Sequence, residues 1–308
     1  MIYWVQQGQI VELDPQYIEY LFSDHVPDGS LIVPDGAGSI DTTAFEHVIY
    51  DCATNPITPV NSEHVLSGLF NKPTSAQFFP FWAIWMSKPW APAMPMPYHT
   101  FSQHPKKYKL SCLNGTPWEH RKLVYLELSN KEYFNQTVFT FAQRSDYVAN
   151  NTLLLESELD KFASLPQSKT FLASDATAGI DLSINHPAYL ETYINLVTET
   201  TVSASTPMLS EKTFKPIVAG QLFVLIASPG AVQFLRDIGI DTFDDIIDHS
   251  YDSITDIRQR IISAVDQIDR LVSLDLESIY NQIKPRLQRN SEYFLSQEFR
   301  DQFKLNFG

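Results

Sequence analysis

Residues 222–227 read LFVLIA, six apolar side chains in a row between Gly220 and the Pro229-Gly230 pair. A strand with one face in water alternates apolar and polar residues, so an unbroken run of this length is buried on both faces. Parallel sheets covered by helices bury their strands in this way, and the neighbouring sequence supplies the helices. Ser210 stands at a helix N-cap position ahead of Glu211, with Phe214, Ile217 and Val218 at helical spacing and Gly220 as the stop. Residues 231–238 read as a short helix ending at Gly239. The fold class is therefore α/β.

Upstream, residues 108–113, 137–142 and 193–198 have the composition of strands, and 118–128 has the apolar spacing of a helix. Residues 253–272 form the clearest helix, with Ile254, Ile257, Ile261, Val265, Ile268 and Val272 three or four apart, and Ser253 with Asp256 resembling a capping box. Residues 274–303 read as one or two more helices, with Pro285 as a kink or break. In the first hundred residues, short apolar runs at 2–5, 17–22, 31–33, 48–52 and 78–85 alternate with turn formers, which suggests a small α/β layer. The segment SKPWAPAMPMP at 87–97 holds four prolines in eleven residues and excludes both a helix interior and a central strand. The expected division is 1–90 as an N-terminal unit, 91–106 as a Pro-rich linker, 107–273 as a second α/β domain and 274–308 as C-terminal helices.

Bulk properties narrow the function classes. A formal charge of −14 disfavours non-specific binding to nucleic acid or anionic membrane. Two cysteines, Cys52 and Cys112, cannot build a disulfide framework. No apolar run approaches the ~20 residues of a membrane span, and the N-terminus lacks a basic region followed by an apolar stretch. A soluble, cytoplasmic protein is expected. The eight histidines contain no His-x-x-x-His pair, and Walker, Gly-x-Gly-x-x-Gly and Gly-x-Ser-x-Gly motifs are absent. Asp244, Asp248, Asp252 and Asp256 recur every four residues and read as a solvated face; no metal is expected.

Chemistry concentrates in residues 192–229. A strand ends on Glu199, a polar loop follows, and a helix opens with Glu211 and Lys212 and carries Lys215 one turn on. Cations at a helix N-terminus suit a pyrophosphate, because the exposed N–H groups there favour an anion. Glu211 or Glu199 could accept hydrogen bonds from ribose hydroxyls. In open α/β sheets such a ligand lies beyond the carboxyl ends of the strands. Each residue also has a plainer reading: Glu211 and Lys212 as first-turn surface residues, Glu199 and Arg121 as solvent-facing, and Asn114 as part of a turn with Gly115.

The order strand 195–199, Ser210-Glu211-Lys212 helix, apolar strand 221–227 resembles the C-terminal half of the bacterial α-1,3-fucosyltransferase family, and more loosely exostosin-like transferases. Residues 109–128 (KLSCLNGTPWEHRKLVYLEL) resemble the family's strand, turn and Arg-bearing helix, so the likeness spans roughly 107–270. It departs at Ser210, where the family usually has Thr, at Pro216 inside the motif helix, and in the N-terminal domain, which has no quotable similarity. The resemblance implies a GT-B-type glycosyltransferase of two Rossmann-like domains, the N-terminal one small and divergent, using a nucleotide-sugar as co-substrate and no metal. On it, Asn114 and Arg121 would approach the donor, Glu211 would bind ribose, and Lys212 would reach the pyrophosphate.

The resemblance also implies inversion in a single displacement, with a base from the N-terminal domain. Glu46 and Asp51, which flank residues 48–50, are preferred over Asp24, Asp35, Glu63, His25 and His64. The acceptor is expected to be a glycan. A hydroxymethylated base in viral DNA is the alternative, for which Lys106, Lys107, Lys109, Lys284, Arg286 and Arg289 would have to form a groove. A scaffold that kept the fold and lost catalysis is the non-enzymatic reading.

Overall fold

The computed structural model describes residues 102–140, 153–165, 187–203 and 208–303, together with strand segments in the first eighty residues and the single residues 44 and 83. Among the described residues, six strands lie in the N-terminal part: β1 (Tyr3–Gln6), β2 (Gln9–Glu12), β3 (Leu31–Pro34), β4 (Val48–Asp51), β5 (Val65–Ser67) and β6 (Ala76–Phe78). The first four form one sheet in the order β2-β1-β3-β4, in which β1 and β2 are antiparallel while β1–β3 and β3–β4 are parallel. β5 and β6 form a parallel pair. The apolar runs at 2–5, 31–33 and 48–52 thus correspond to strands, whereas the run at 17–22 and the whole Pro-rich segment at 87–97 lie outside the described residues.

The second sheet is drawn wholly from residues 108–226. Its strands β7 (Tyr108–Leu113), β8 (Thr137–Thr140), β9 (Thr192–Thr198) and β10 (Leu222–Ile226) are all parallel and run in the order β10-β9-β7-β8. Every residue of β8 and β10 is buried, as the unbroken apolar run requires. Helices α1 (Glu119–Ser129), α2 (Glu156–Ser164), α3 (Pro187–Leu190), α4 (Glu211–Val218), α5 (Ala231–Asp237), α6 (Ile257–Val272), α7 (Leu276–Phe294) and α8 (Gln297–Asp301) surround it. The pair α1 with α6 and the pair α4 with α7 cover the sheet. Between α4 and α7, Phe214 stacks on Phe294 at 5.2 Å and 11°, and Ser291 Oγ donates to the Val218 carbonyl at 2.8 Å. The result is an α/β fold with a four-stranded parallel sheet, compatible with a Rossmann-like arrangement.

Three local expectations are corrected. The long helix starts at Ile257 and not at residue 253: Asp256 is the N-cap, accepting from Gln259 N at 2.8 Å, and Ser250–Ser253 forms a 3-10 turn. Pro285 neither breaks nor ends α7, which runs through it to Phe294. Anchoring by the buried Tyr280, Ile283, Leu287 and Phe294 outweighs the one backbone hydrogen bond that proline removes. The four aspartates do not form a solvated stripe, since Asp252 is buried and its carboxylate caps α5 through Val232 N at 3.1 Å and Gln233 N at 3.3 Å.

Candidate functional site

The order β8-β7-β9-β10 reverses direction between β7 and β9, because the chain runs outward from β7 to β8 and then returns to lay β9 on the other side of β7. At such a switch point the loops leaving adjacent strands diverge and open a crevice above their carboxyl ends. The residues singled out from sequence gather there. Asn114 follows β7, Glu199 follows β9, Arg121 sits in the first turns of α1, and Ser210, Glu211 and Lys212 open α4, while Lys215 lies in its last turn.

Asn114 ties three strand ends together. Its N–H donates to the Thr140 carbonyl at 3.2 Å and to Thr140 Oγ1 at 3.1 Å, its side-chain oxygen accepts from Thr198 Oγ1, and its amide donates to Cys112 Sγ at 3.3 Å. Cys112 is a free thiol, fully buried, and burial pushes its pKa up to about 12. The strand ends are thereby fixed at the carboxyl edge of the sheet.

Glu199 is fully buried, and its carboxylate is committed to the loop it begins. It accepts from Ser210 N at 2.9 Å, Ser210 Oγ at 2.5 Å, Thr213 Oγ1 at 2.5 Å and Thr200 N at 3.2 Å. Four hydrogen bonds satisfy the charge that burial would otherwise penalise. They also set the N-terminus of α4, where Ser210 Oγ accepts from Lys212 N at 3.4 Å.

Arg121, 2% exposed, lies across the switch point. It donates to the Thr116 carbonyl at 3.0 Å on the β7 side, and to the carbonyls of Thr198 at 3.1 Å and Glu199 at 3.3 Å on the β9 side. Its Nε has no hydrogen-bond partner among the described residues. Burial lowers its pKa, while Glu199 and Glu211 act in the opposite direction. Lys212 Nζ, part-exposed, donates to Glu211 Oε1 at 2.6 Å and to Ser210 Oγ at 3.3 Å. Glu211 is buried, and so is Lys215, so these two are not the surface residues that their sequence positions allow.

Two participants are not apparent from sequence. His120 is buried and its Nε2 donates to the Glu199 carbonyl at 2.9 Å; burial first and Arg121 second push its pKa down to about 3. Arg260 of α6 is 1% exposed and donates to the carbonyls of Ile254 and Val202, so it holds the same loop from the other side. The adjacency of His120 to Arg121 is the only sequence signal for the first. Arg260 carries none, because it lies 58 residues from Val202.

Asp51 is the last residue of β4, paired in register with Pro34, and Glu46 lies outside the described residues, as do Asp24, His25, Asp35, Glu63 and His64. Among the described residues, no group of three or more His, Cys, Asp or Glu side chains could hold a metal, and no helix is long and apolar enough to cross a membrane. A separate open cleft of about 590 Å³, lined by Arg236, Asp244, Asp245, Asp248, His249 and Arg270, belongs to the opposite edge of the sheet. Helix α6 spans the two edges: Arg260 near its start holds Val202, while Lys109 of β7 donates to the Val272 carbonyl at its end at 3.0 Å. Arg270 is therefore at the far edge. Comparison with protein-family models, curated proteins and solved structures finds no match to this chain.

Proposed function

We propose that the carboxyl edge of the parallel sheet binds a nucleotide-sugar and that the protein transfers its sugar to a hydroxyl acceptor. The observation that carries this reading is the placement of Arg121 across the β7–β9 switch point, with an unpartnered Nε, beside the Glu211–Lys212 start of α4. A guanidinium and a part-exposed ammonium next to a helix N-terminus are the groups that stabilise a departing diphosphate. Glu211 is the carboxylate for the ribose hydroxyls. Glu199 acts on the donor indirectly, by fixing the loop and Ser210. Lys215, being buried, supports α4 and adds to the local positive field.

In the GT-B-type reading, the N-terminal segment supplies the acceptor side and a base, Glu46 or Asp51, that takes the acceptor proton as the sugar inverts. No metal enters, because fixed cations carry the leaving-group charge. A glycan acceptor is favoured over modified DNA. Lys107 donates to Glu191 at 2.7 Å, Arg286 to Asp241 and Asp245 at 2.7–2.9 Å, and Arg289 to Asp241 at 3.2 Å, so these cations are answered by carboxylates within the chain.

A scaffold without catalysis is the second reading, and the internal saturation of Glu199 and Asn114 favours it. Thermal unfolding with GDP, UDP, CMP, dTDP and their common sugars separates the two. A bound donor at 100 times Kd stabilises by about 2.7 kcal/mol. No shift with any of them in a folded sample would leave the scaffold reading.

A further inference from the structure

Among the described residues β10 is an outer strand of its sheet, so the N–H groups on its free side have no strand to pair with. One of them is met by a side chain: Leu225 N donates to the Tyr251 hydroxyl at 3.2 Å. Tyr251 belongs to the 3-10 turn Ser250–Ser253 and is 1% exposed. Its hydroxyl lies 3.1 Å from His249 Nδ1, and His249 Nε2 lies 2.8 Å from the Thr242 carbonyl. A carbonyl only accepts, so Nε2 carries the ring proton and Nδ1 accepts from the Tyr251 hydroxyl. The bonds from Leu225 through Tyr251 and His249 to Thr242 therefore all run one way, and that direction requires a neutral imidazole.

We propose that His249 is an acid-sensitive latch: neutral, it fastens segment 242–253 to the free side of β10, and protonated, it releases that side of the strand. A second ring proton lands on Nδ1 and faces the Tyr251 oxygen. The hydroxyl must then turn its own hydrogen away, and its other partner, Leu225 N, is itself a donor. A buried hydroxyl hydrogen with no acceptor is costly, so the turn leaves the strand. The charges around the ring come from three elements. Asp244 Oδ1 lies 3.8 Å from Nε2, and Asp244, Asp248 and Asp252, all on the ring's own segment, favour the imidazolium. Arg236 of α5, held on Asp244 at 2.8 Å, opposes it, and Arg270 of α6 lines the same cleft as His249. Burial outweighs the carboxylates and keeps the ring's pKa below its ordinary value. The latch is therefore closed above about pH 6.5 and opens as pH falls through the lower folded value.

Amide exchange followed by NMR, from pH 7.5 down to the onset of unfolding, tests this. In the wild type the protection of Leu225, corrected for the intrinsic exchange rate, should fall several-fold as the His249 ring signals titrate, while the amides of β9, inside the sheet, stay protected. His249→Gln cannot titrate and should hold Leu225 protection constant over the same range. Tyr251→Phe removes the relay and keeps the histidine, so Leu225 should be poorly protected at every pH. A His249 ring that stays neutral until the protein unfolds would overturn the latch. So would Leu225 protection that ignores the ring's titration, that falls only together with β9, or that keeps its pH dependence in either variant.

Discussion

Arg121 grips Glu199 by its main-chain carbonyl, at 3.3 Å, while the Glu199 carboxylate is turned towards Ser210 and Thr213. These two donor-site candidates of opposite charge are therefore joined through backbone. This arrangement separates their roles. Glu199 shapes the loop, and Arg121, donating to carbonyls, has no carboxylate in direct contact among the described residues.

Glu199→Ala should cost about 2–4 kcal/mol of stability, because Ser210 N, Ser210 Oγ and Thr213 Oγ1 lose a buried charged acceptor together. Urea unfolding measures it. A loss under ~0.5 kcal/mol would mean that the loop finds other partners or water.

Acid should destabilise the fold through His120. Its folded pKa, about 3, is below the unfolded value, so the stability linked to the neutral ring is complete above about pH 6.5 and falls as pH drops from there towards 3. By pH 4.5 the loss from this one group is on the order of a few kcal/mol. His249, whose pKa is lowered mainly by burial, adds to it in the same direction. Stability measured from pH 7 to 4.5 should have a flatter slope in His120→Asn, and an unchanged slope would remove His120 as the cause.

Gly239 ends α5 with φ +86°, and a Cβ there would sit 2.8 Å from the Tyr293 hydroxyl oxygen and 2.9 Å from its ring carbon Cε1. Gly239→Ala combines a left-handed conformation with an aromatic clash and should cost about 1–3 kcal/mol. In a Tyr293→Phe background only the hydroxyl contact is removed, and the left-handed strain and the ring-carbon contacts at 2.9 and 3.0 Å remain, so the variant should still lower the melting temperature. No effect in either background would show that the turn rearranges freely.

The carboxylate of Asp252 takes the place of a side-chain N-cap on α5, from 20 residues downstream of Val232. Asp252→Ala should cost about 1–2 kcal/mol, the range for losing a cap, and Asp252→Asn less. Equal losses for the two variants would indicate that the negative charge, and not hydrogen bonding, is what matters.

Legibility in the sequence followed the range of the interactions. The run at 222–227, the Ser210 cap and Gly220 are local signals, and strand β10 and helix α4 appear where they predict. The start of α6 was displaced because Ser253 and Asp256 are both capping residues, and only packing decides between them. Pro285 misled because its penalty is local while the apolar anchors of α7 are tertiary. In the candidate site, order and spacing put the α4 start at the carboxyl edge of the sheet, while the approach of Asn114 and Arg121 to it was implied by the family resemblance. The commitment of Glu199 to its own loop was not, since it depends on Ser210 and Thr213 folding back across 11 and 14 residues. Lys215 has the same spacing from Lys212 as a surface pair would have, and sequence offers no means of distinguishing a buried lysine there.

Calorimetric titration of the wild-type protein and Lys212→Ala with the nucleoside diphosphates and their sugars bears most directly on the proposed donor site. We expect one nucleotide class to bind the wild type and to bind the variant at least tenfold more weakly, a loss of about 1.4 kcal/mol, with the melting curve unchanged. Binding of equal strength in both proteins would move the donor away from α4, and no binding to the wild type by any of them would contradict the nucleotide-sugar reading itself.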